Sequence, residues 1–253
     1  MRMGIVTERR KKERRRKLGR RLMIAALAAV LCAAAASQDL RYAAVAAAGR
    51  IRAAAVFSDT DVGAQSQLTL PEMKVYALQM GVFDSGERAS DQAKVLEAAG
   101  VRCMIWQREK MRLIACASAS REGLDSHSAK GYDAYVYQET LPSVTLRLSA
   151  GRKALEAAEN LLMLPDSLFA ALDEGREPLS AVISRARNEA AQAQKAHPEN
   201  LLYTELAQSL SLWCSLIDGI SDQGNEADAR AYALTTMCAL CRELRETLIA
   251  SGG

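Results

Sequence analysis

The sequence predicts an α+β protein with a basic N-terminal segment and one apolar helix, a small antiparallel sheet, and an all-helical C-terminal bundle. Three observations lead to this prediction. Positive charge is concentrated at the N-terminus, short strand patterns occupy the middle of the 253-residue chain, and apolar residues recur at helical spacing beyond residue 149. Six cysteines are too few for a disulfide scaffold, and 49% apolar residues exclude a wholly disordered chain.

The N-terminal charge predicts attachment to a membrane. Residues 1–21 contain eleven Lys or Arg and two Glu, whereas residues 22–253 contain 22 basic and 28 acidic residues. The uncharged run from Leu22 to Gln38 gives a helix of about 25 Å, and flanking arginines can extend to the headgroups of a ~30 Å hydrocarbon core. We therefore expect a cytoplasmic basic tail at 1–21, a single transmembrane anchor at 22–38 in the cell membrane, and an extracytoplasmic body.

Two alternatives remain open for this segment. The apolar run ends in Ala34-Ala35-Ala36-Ser37, and such small residues are typical of signal-peptidase sites, so cleavage is an alternative to anchoring. A nuclear-localisation or nucleic-acid-binding arm is the second alternative. The acidic net charge of the body disfavours nucleic acid as its partner, because phosphates would be repelled.

The middle of the chain predicts a spacer followed by a sheet. Residues 39–72 are first rich in Ala and then polar, with the linker composition clearest over 58–71, so we expect a stalk and linker. The segment 73–148 contains alternating or β-branched runs bounded by turn residues, which predict strands. These strands are expected at 75–80, 101–106, 111–117 and 135–137, with a fifth edge strand at 144–148.

Two helices are predicted between these strands. The Asp84-x-x-Glu87 spacing of a capping box starts the first helix, which carries an Ala- and Leu-rich stripe and ends at Gly100. The second, weaker helix is expected at 121–130. The order β-α-β-β-α-β is that of a ferredoxin-like sandwich, in which two helices cover one face of the sheet. We expect the other face to be open to a polymeric ligand.

The first strand resembles that of a known family. Its residues Tyr76-Ala77-Leu78-Gln79-Met80-Gly81-Val82-Phe83 are similar to the opening of a SPOR (sporulation-related) domain, whose signature is Gln-x-Gly-x-Phe; here these are Gln79, Gly81 and Phe83. The element order, the length of about 75 residues and the N-terminal span agree with the resemblance. It implies a bacterial envelope protein that binds peptidoglycan glycan strands during cell division or sporulation.

The resemblance also implies binding residues. Gln79 matches an amide on the open face, Arg112 matches an arginine early in the third strand, and Val136 matches an apolar residue beside the groove. Tyr135 and Tyr137 are added on physical grounds, because tyrosine rings pack against sugar rings and carry a hydroxyl at the rim. Period-2 alternation places Gln79 on the same face as Ala77.

Residues 149–253 predict a helical bundle. Helices are expected at 152–164, from Pro165 to Gly175, from Pro178 towards Pro198, over the stripe 202–217, and at 226–250. The pair Cys238 and Cys241 lies on the apolar stripe of the last helix and is interpreted as core. The chain has two isolated histidines, His127 and His197, so we expect no metal site and no cofactor.

The sequence also disfavours catalysis. It contains no His-Glu-x-x-His, Gly-x-Ser-x-Gly or Ser-x-x-Lys motif and no phosphate-binding glycine loop, so we expect no enzyme. The favoured hypothesis is a membrane-anchored protein that binds peptidoglycan and whose bundle contacts a protein partner. The alternative is an exported scaffold in which the sheet and the bundle mediate protein contacts without binding glycan.

Overall fold

The computed structural model describes residues 64–124, 133–150, 152–196, 201–222 and 226–250, which belong to one compact unit. These ranges form an α+β structure with two antiparallel sheets and a helical C-terminal part. The predicted basic tail and anchor, 1–21 and 22–38, lie outside the described residues. Within the described ranges, no helix is both long enough and apolar enough to cross a bilayer.

The main sheet has four strands. These are β2 (Met73–Phe83), β3 (Met104–Gln107), β4 (Met111–Ser118) and β5 (Tyr135–Leu141). Their order is β3-β4-β2-β5, with every neighbouring pair antiparallel. Because β4 lies between β2 and β3, helix α1 (Gly86–Ala98) closes a split β-α-β unit. The four strands predicted for this sheet are confirmed.

Helix α1 is capped by a different residue from the one predicted. The Ser85 hydroxyl accepts a hydrogen bond from the backbone N–H of Arg88 at 3.4 Å, whereas the Asp84 carboxylate forms an ion pair with Lys110 at 3.1 Å. The capping box at Asp84 was therefore wrong by one residue. The C-terminal prediction is confirmed, because Gly100 has φ +83° and ends the helix.

The second predicted helix, at 121–130, is described only in part. A 3-10 turn spans Glu122–Leu124, and residues 125–132 lie outside the described part of the chain. Leu124 is buried and packs beside Leu78 and Cys116. The described residues therefore place one turn, and not a helix, at the start of this stretch.

A second, two-stranded sheet corrects two predictions. Strand β1 (Ala64–Leu70) occupies part of the predicted linker 58–71, and it pairs with β6 (Val144–Ala150). The fifth strand thus exists but does not join the main sheet. The reason is the pair of prolines at 71 and 142, which lie between the two ladders and have no N–H to donate.

Four helices form the C-terminal part. They are α2 (Arg152–Glu174), α3 (Leu179–Ala196), α4 (Leu201–Ser221) and α5 (Glu226–Ala250). The predicted break at Pro165 was wrong, since α2 continues through it. Burial of Leu161, Leu162, Leu168 and Phe169 around this point stabilises the helix by more than the one backbone hydrogen bond that proline removes. The helices predicted in the regions of α3, α4 and α5 are confirmed.

Arg245 on α5 connects the helices to the junction between the two sheets. Its side chain is fully buried and donates two hydrogen bonds to the Asp166 carboxylate, at 2.8 and 2.6 Å. It also donates to the carbonyl oxygens of Pro71, at 2.9 Å, and Pro142, at 3.2 Å. A further bond reaches the carbonyl of Cys241 on its own helix, at 3.2 Å. One guanidinium thus holds α5, α2 and both strand junctions together.

The helical part covers the face of the sheet that was expected to be open. The main core joins side chains of β2, β3 and β4 to those of all four C-terminal helices, and α5 contacts both β3 and β4. The residues of the main sheet that are buried in this core are Val75, Ala77, Met104, Trp106, Ile114, Ala117 and Leu141. Helix α1 packs on the opposite face. The expectation of an open face was therefore wrong for this region.

Candidate functional site

The coverage by the bundle is incomplete at one end of the sheet. There, Gln79 on β2 lies opposite Tyr135 on β5, and the register places Tyr137 opposite Ala77. Because alternate residues of a strand share a face, Gln79, Tyr135 and Tyr137 all lie on the side of the sheet to which Ala77 belongs. Gln79 and Tyr137 are half-buried, and Tyr135 is 70% exposed.

Arg112 extends this group onto a third strand. Its guanidinium donates a hydrogen bond from Nη1 to Gln79 Oε1 at 2.5 Å, and its central carbon lies 4.5 Å from the centroid of the Tyr137 ring. This distance is within the range of a cation–π contact. We call Gln79, Arg112, Tyr135 and Tyr137 the tyrosine–arginine face. It combines amide and guanidinium donors with aromatic plates.

The register of β4 is irregular beside this face. Gln79 lies opposite Ile114, but Gly81 lies opposite Leu113, so the ladder shifts between these two positions of β2. Arg112 pairs with Val82 across the strands, yet its side chain reaches back to Gln79. An irregularity of this kind re-aims side chains at the point where it occurs.

Gly81 and Phe83, the other two residues of the Gln-x-Gly-x-Phe motif, have a structural role in β2. A Cβ atom on Gly81 would lie 2.8 Å from the Phe83 ring, which is closer than van der Waals contact permits. Phe83 packs against the cluster beneath α1 that contains Ala89, Leu96 and Leu113. The Gly-x-Phe spacing therefore provides space for an aromatic ring alongside the strand.

Val136 does not belong to the tyrosine–arginine face. It lies opposite Leu78, whose side chain is on the other side of the sheet from Gln79. Its side chain is 40% exposed. Four of the five residues predicted to bind a ligand are thus brought together, and Val136 is separated from them by the pleat of the strand.

Sequence reasoning missed a group of charges between α5 and the sheet. The Arg242 guanidinium lies 5.1 Å from the ring of Trp106, which is 1% exposed. Glu139 on β5 is almost fully buried and forms ion pairs with Arg108 and, at 4.0 Å, with Arg242. Arg108 also pairs with Glu246. These partners are far apart in sequence, so no local sequence pattern predicts this group of charges.

Four of the five cysteines in the described part of the chain are buried, and Cys103 is half-buried. Cys238 and Cys241 lie in the core of the bundle as predicted, and burial raises the pKa of the Cys238 thiol to about 12. Cys103 and Cys116 are both free thiols, and burial raises the pKa of each to about 12. Within the described ranges, no group of His, Cys, Asp and Glu side chains could hold a metal ion.

Three comparisons with known proteins gave no match to this chain: family models, curated proteins and solved structures. The case for a function therefore depends on the chain's own residues and their arrangement.

Proposed function

We propose that this protein is a membrane-anchored, non-catalytic component of the bacterial envelope that binds peptidoglycan glycan strands through the tyrosine–arginine face. One observation carries the proposal. Arg112 on β4 contacts both Gln79 on β2 and Tyr137 on β5, so residues from three strands converge on one surface.

The chemistry of this surface suits a saccharide. A sugar chain presents hydroxyl and amide groups for hydrogen bonding and apolar ring faces for stacking. Tyr135 provides an exposed aromatic plate, and Gln79 and Arg112 provide hydrogen-bonding groups beside it. No proton transfer or covalent step is needed for such binding, which agrees with the absence of catalytic motifs in the sequence.

The strand order supports the finer fold that the SPOR resemblance implies. The split β-α-β unit, followed by β4 and β5 in the order β3-β4-β2-β5, is the arrangement expected of a ferredoxin-like sandwich. The bundle restricts the ligand to the end of the sheet beside Tyr135. We therefore infer a contact with a short glycan segment, and not a groove along the whole face.

The proposed location follows from the N-terminal sequence. The basic tail at 1–21 and the apolar run at 22–38 would keep the N-terminus in the cytoplasm and place the body outside. In that location the body would face peptidoglycan, in processes such as cell division or sporulation.

Co-sedimentation of the full chain with purified sacculi tests the proposal. Gln79→Ala and Arg112→Ala should each weaken binding, with the arginine change reducing affinity by roughly 10- to 100-fold through loss of charge-assisted hydrogen bonds. Arg147→Ala is the matched control, because it removes an exposed arginine from strand β6. Thermal unfolding of each variant separates loss of binding from loss of fold.

A second candidate is supported by the covered sheet face. Burial of Val75, Ala77 and Trp106 beneath the helices removes most of the surface on which a polymer would lie. In this alternative the protein is an exported scaffold, and the sheet and bundle bind other proteins. Sacculus binding that is absent, or that survives both Gln79→Ala and Arg112→Ala, would favour the scaffold.

A further inference from the structure

The outer edge of strand β5 has no neighbouring strand. The main sheet ends at β3 on one side and at β5 on the other, and within the described ranges no strand pairs with the outer edge of either. An edge strand carries a row of backbone N–H and C=O groups that can pair with a further strand. Monomeric proteins usually protect such an edge with a short strand, exposed charges, a proline or a bulge.

The two edges of the main sheet differ in this protection. Strand β3 has four residues and is followed by three exposed charged residues, Arg108, Glu109 and Lys110. Strand β5 has seven residues, contains no proline and pairs with β2 without a register shift. Four of its side chains are exposed, and all four are uncharged: Tyr135, Val136, Gln138 and Thr140. The β3 edge is therefore protected, whereas the β5 edge is open to a partner strand.

The charges on β5 favour a second copy of this chain as that partner. The one charged residue of the strand, Glu139, is almost fully buried and forms ion pairs with Arg108 and Arg242 of its own chain. Two β5 strands side by side would therefore bring no unpaired charge and no like charges together. Tyr135 and Val136, exposed at 70% and 40%, would supply apolar contacts on the two faces of such a pair.

We propose that β5 pairs antiparallel with β5 of a second copy, so that two four-stranded sheets become one sheet of eight strands. A closed dimer has two-fold symmetry, and the two-fold axis of an antiparallel strand pair is perpendicular to the sheet. Equivalent faces of the two sheets then lie on the same side. The tyrosine–arginine faces of both copies, each with its Tyr135 on β5, would form one continuous saccharide surface.

The inference rests on the proposed function for its ligand only, because strand pairing is a property of the protein alone. The bundle limits each copy to a contact with a short glycan segment. Two linked sites bind one polymer more tightly than either site does, provided that the polymer spans both. Pairing through β5 would therefore convert two short, weak contacts into one longer and tighter contact.

Disulfide trapping of the full chain in detergent tests the pairing. In a symmetric antiparallel pair, only the residue on the two-fold axis lies opposite its own copy, with about 4.5–5.5 Å between the Cα atoms, which suits a disulfide. An axis at Gln138, the middle residue, lets all seven residues of β5 pair. Gln138→Cys should therefore give a covalent dimer of twice 27.4 kDa, whereas Gln107→Cys on the β3 edge, also exposed, should not.

Gln138→Lys separates pairing from contact with the ligand. The side chain of Gln138 is exposed and lies on the face of the sheet opposite to that of Gln79 and Tyr137, so it is not part of the tyrosine–arginine face. Two lysines opposite each other across the axis would repel. The mass of the full chain by light scattering should fall from dimer to monomer, and sacculus binding should weaken at least tenfold. Gln107→Lys, the matched control, should change neither.

The outcomes separate the inference from the proposed function, with thermal unfolding to verify that each variant is folded. A monomeric wild-type chain, or a dimer that persists in Gln138→Lys, would overturn the pairing and leave glycan binding in place. A monomeric Gln138→Lys that binds sacculi as tightly as the wild type would overturn the joint saccharide surface. A dimer that binds no sacculi would instead overturn the proposed function and support the pairing alone.

Discussion

Replacing Arg245 with methionine should strongly destabilise the body of the protein. The guanidinium is fully buried and donates to Asp166 twice and to the carbonyls of Pro71 and Pro142. Methionine fills a similar volume but leaves the Asp166 carboxylate, only 14% exposed, without its partner. Removing one member of a buried ion pair costs about 3–5 kcal/mol of unfolding free energy.

Urea unfolding followed by circular dichroism measures this loss, and the chain offers a matched control. Arg187 and Asp218 form an ion pair with the same 2.6 Å separation between nitrogen and oxygen, but both side chains are about half exposed. Arg187→Met should therefore cost no more than about 1 kcal/mol. In thermal unfolding, Arg245→Met should lower Tm by roughly 10 °C, at about 2–4 °C for each kcal/mol.

Equal effects of the two substitutions would refute this reasoning, because it attributes the larger loss to the burial of Arg245 and to the buried carboxylate and carbonyl groups that only this arginine contacts. A double variant, Arg245→Met with Asp166→Leu, gives a further check. It removes the unpaired carboxylate and should recover part of the stability lost in Arg245→Met. No recovery would mean that the proline carbonyls, and not the carboxylate, dominate the loss.

Three further predictions concern single positions. Gly81→Val should destabilise the protein by about 1–3 kcal/mol in urea unfolding, because its Cβ would overlap the Phe83 ring; an unchanged midpoint would contradict this. Thr236→Val should lower the free energy of unfolding by about 1–3 kcal/mol, because the buried Trp213 indole N–H donates a hydrogen bond to the Thr236 hydroxyl at 2.9 Å. Thr236→Ser keeps a hydroxyl and should cause a smaller loss. Equal losses of stability in the two variants would argue against the hydrogen bond. Burial raises the pKa of Glu243 from 4.5 to about 7, so the folded protein binds this proton more tightly than the unfolded chain does. The free energy of unfolding should therefore fall as the pH rises from about 4.5 to 7. Glu243→Gln should flatten that slope, and an unaltered slope would refute the raised pKa of Glu243.

Helical periodicity predicted the C-terminal part well because it depends on local spacing. The stripe on α4, with Leu202, Leu206, Leu210, Trp213 and Ile217, is buried at every position. Pro165 was misread for the same local reason: a proline removes one hydrogen bond, and only the tertiary packing of Leu161 and Phe169 decides whether a helix continues.

The covering of one sheet face by the bundle was not predicted, because an apolar stripe on a helix does not show which other element it packs against. Contact between α5 and the strands β3 and β4 joins residues more than a hundred positions apart. One signal was present in the sequence. Helix α5 is buried continuously from Ala231 to Arg242, and its small and apolar residues there leave no polar face, which is the pattern of a central helix with neighbours on all sides.

The candidate site was predicted where it depends on alternation and missed where it depends on register. The alternation of side chains along a strand correctly placed Gln79 and Ala77 on the same face of β2. The placement of Tyr135 opposite Gln79, and hence of Val136 on the other face, is set by the pairing of β2 with β5. A shift of one residue in that pairing would exchange the two, and nothing local in either strand determines it.

Photo-cross-linking at two adjacent positions of β5 tests the central claim most directly. Tyr135 and Val136 are both exposed, at 70% and 40%, but point to opposite faces of the sheet. A photoreactive phenylalanine analogue at position 135 should capture glycan when the full chain is irradiated with sacculi, whereas the same analogue at position 136 should not. Capture at position 136 alone, equal capture at both positions, or capture at neither would contradict the assignment of glycan binding to the tyrosine–arginine face.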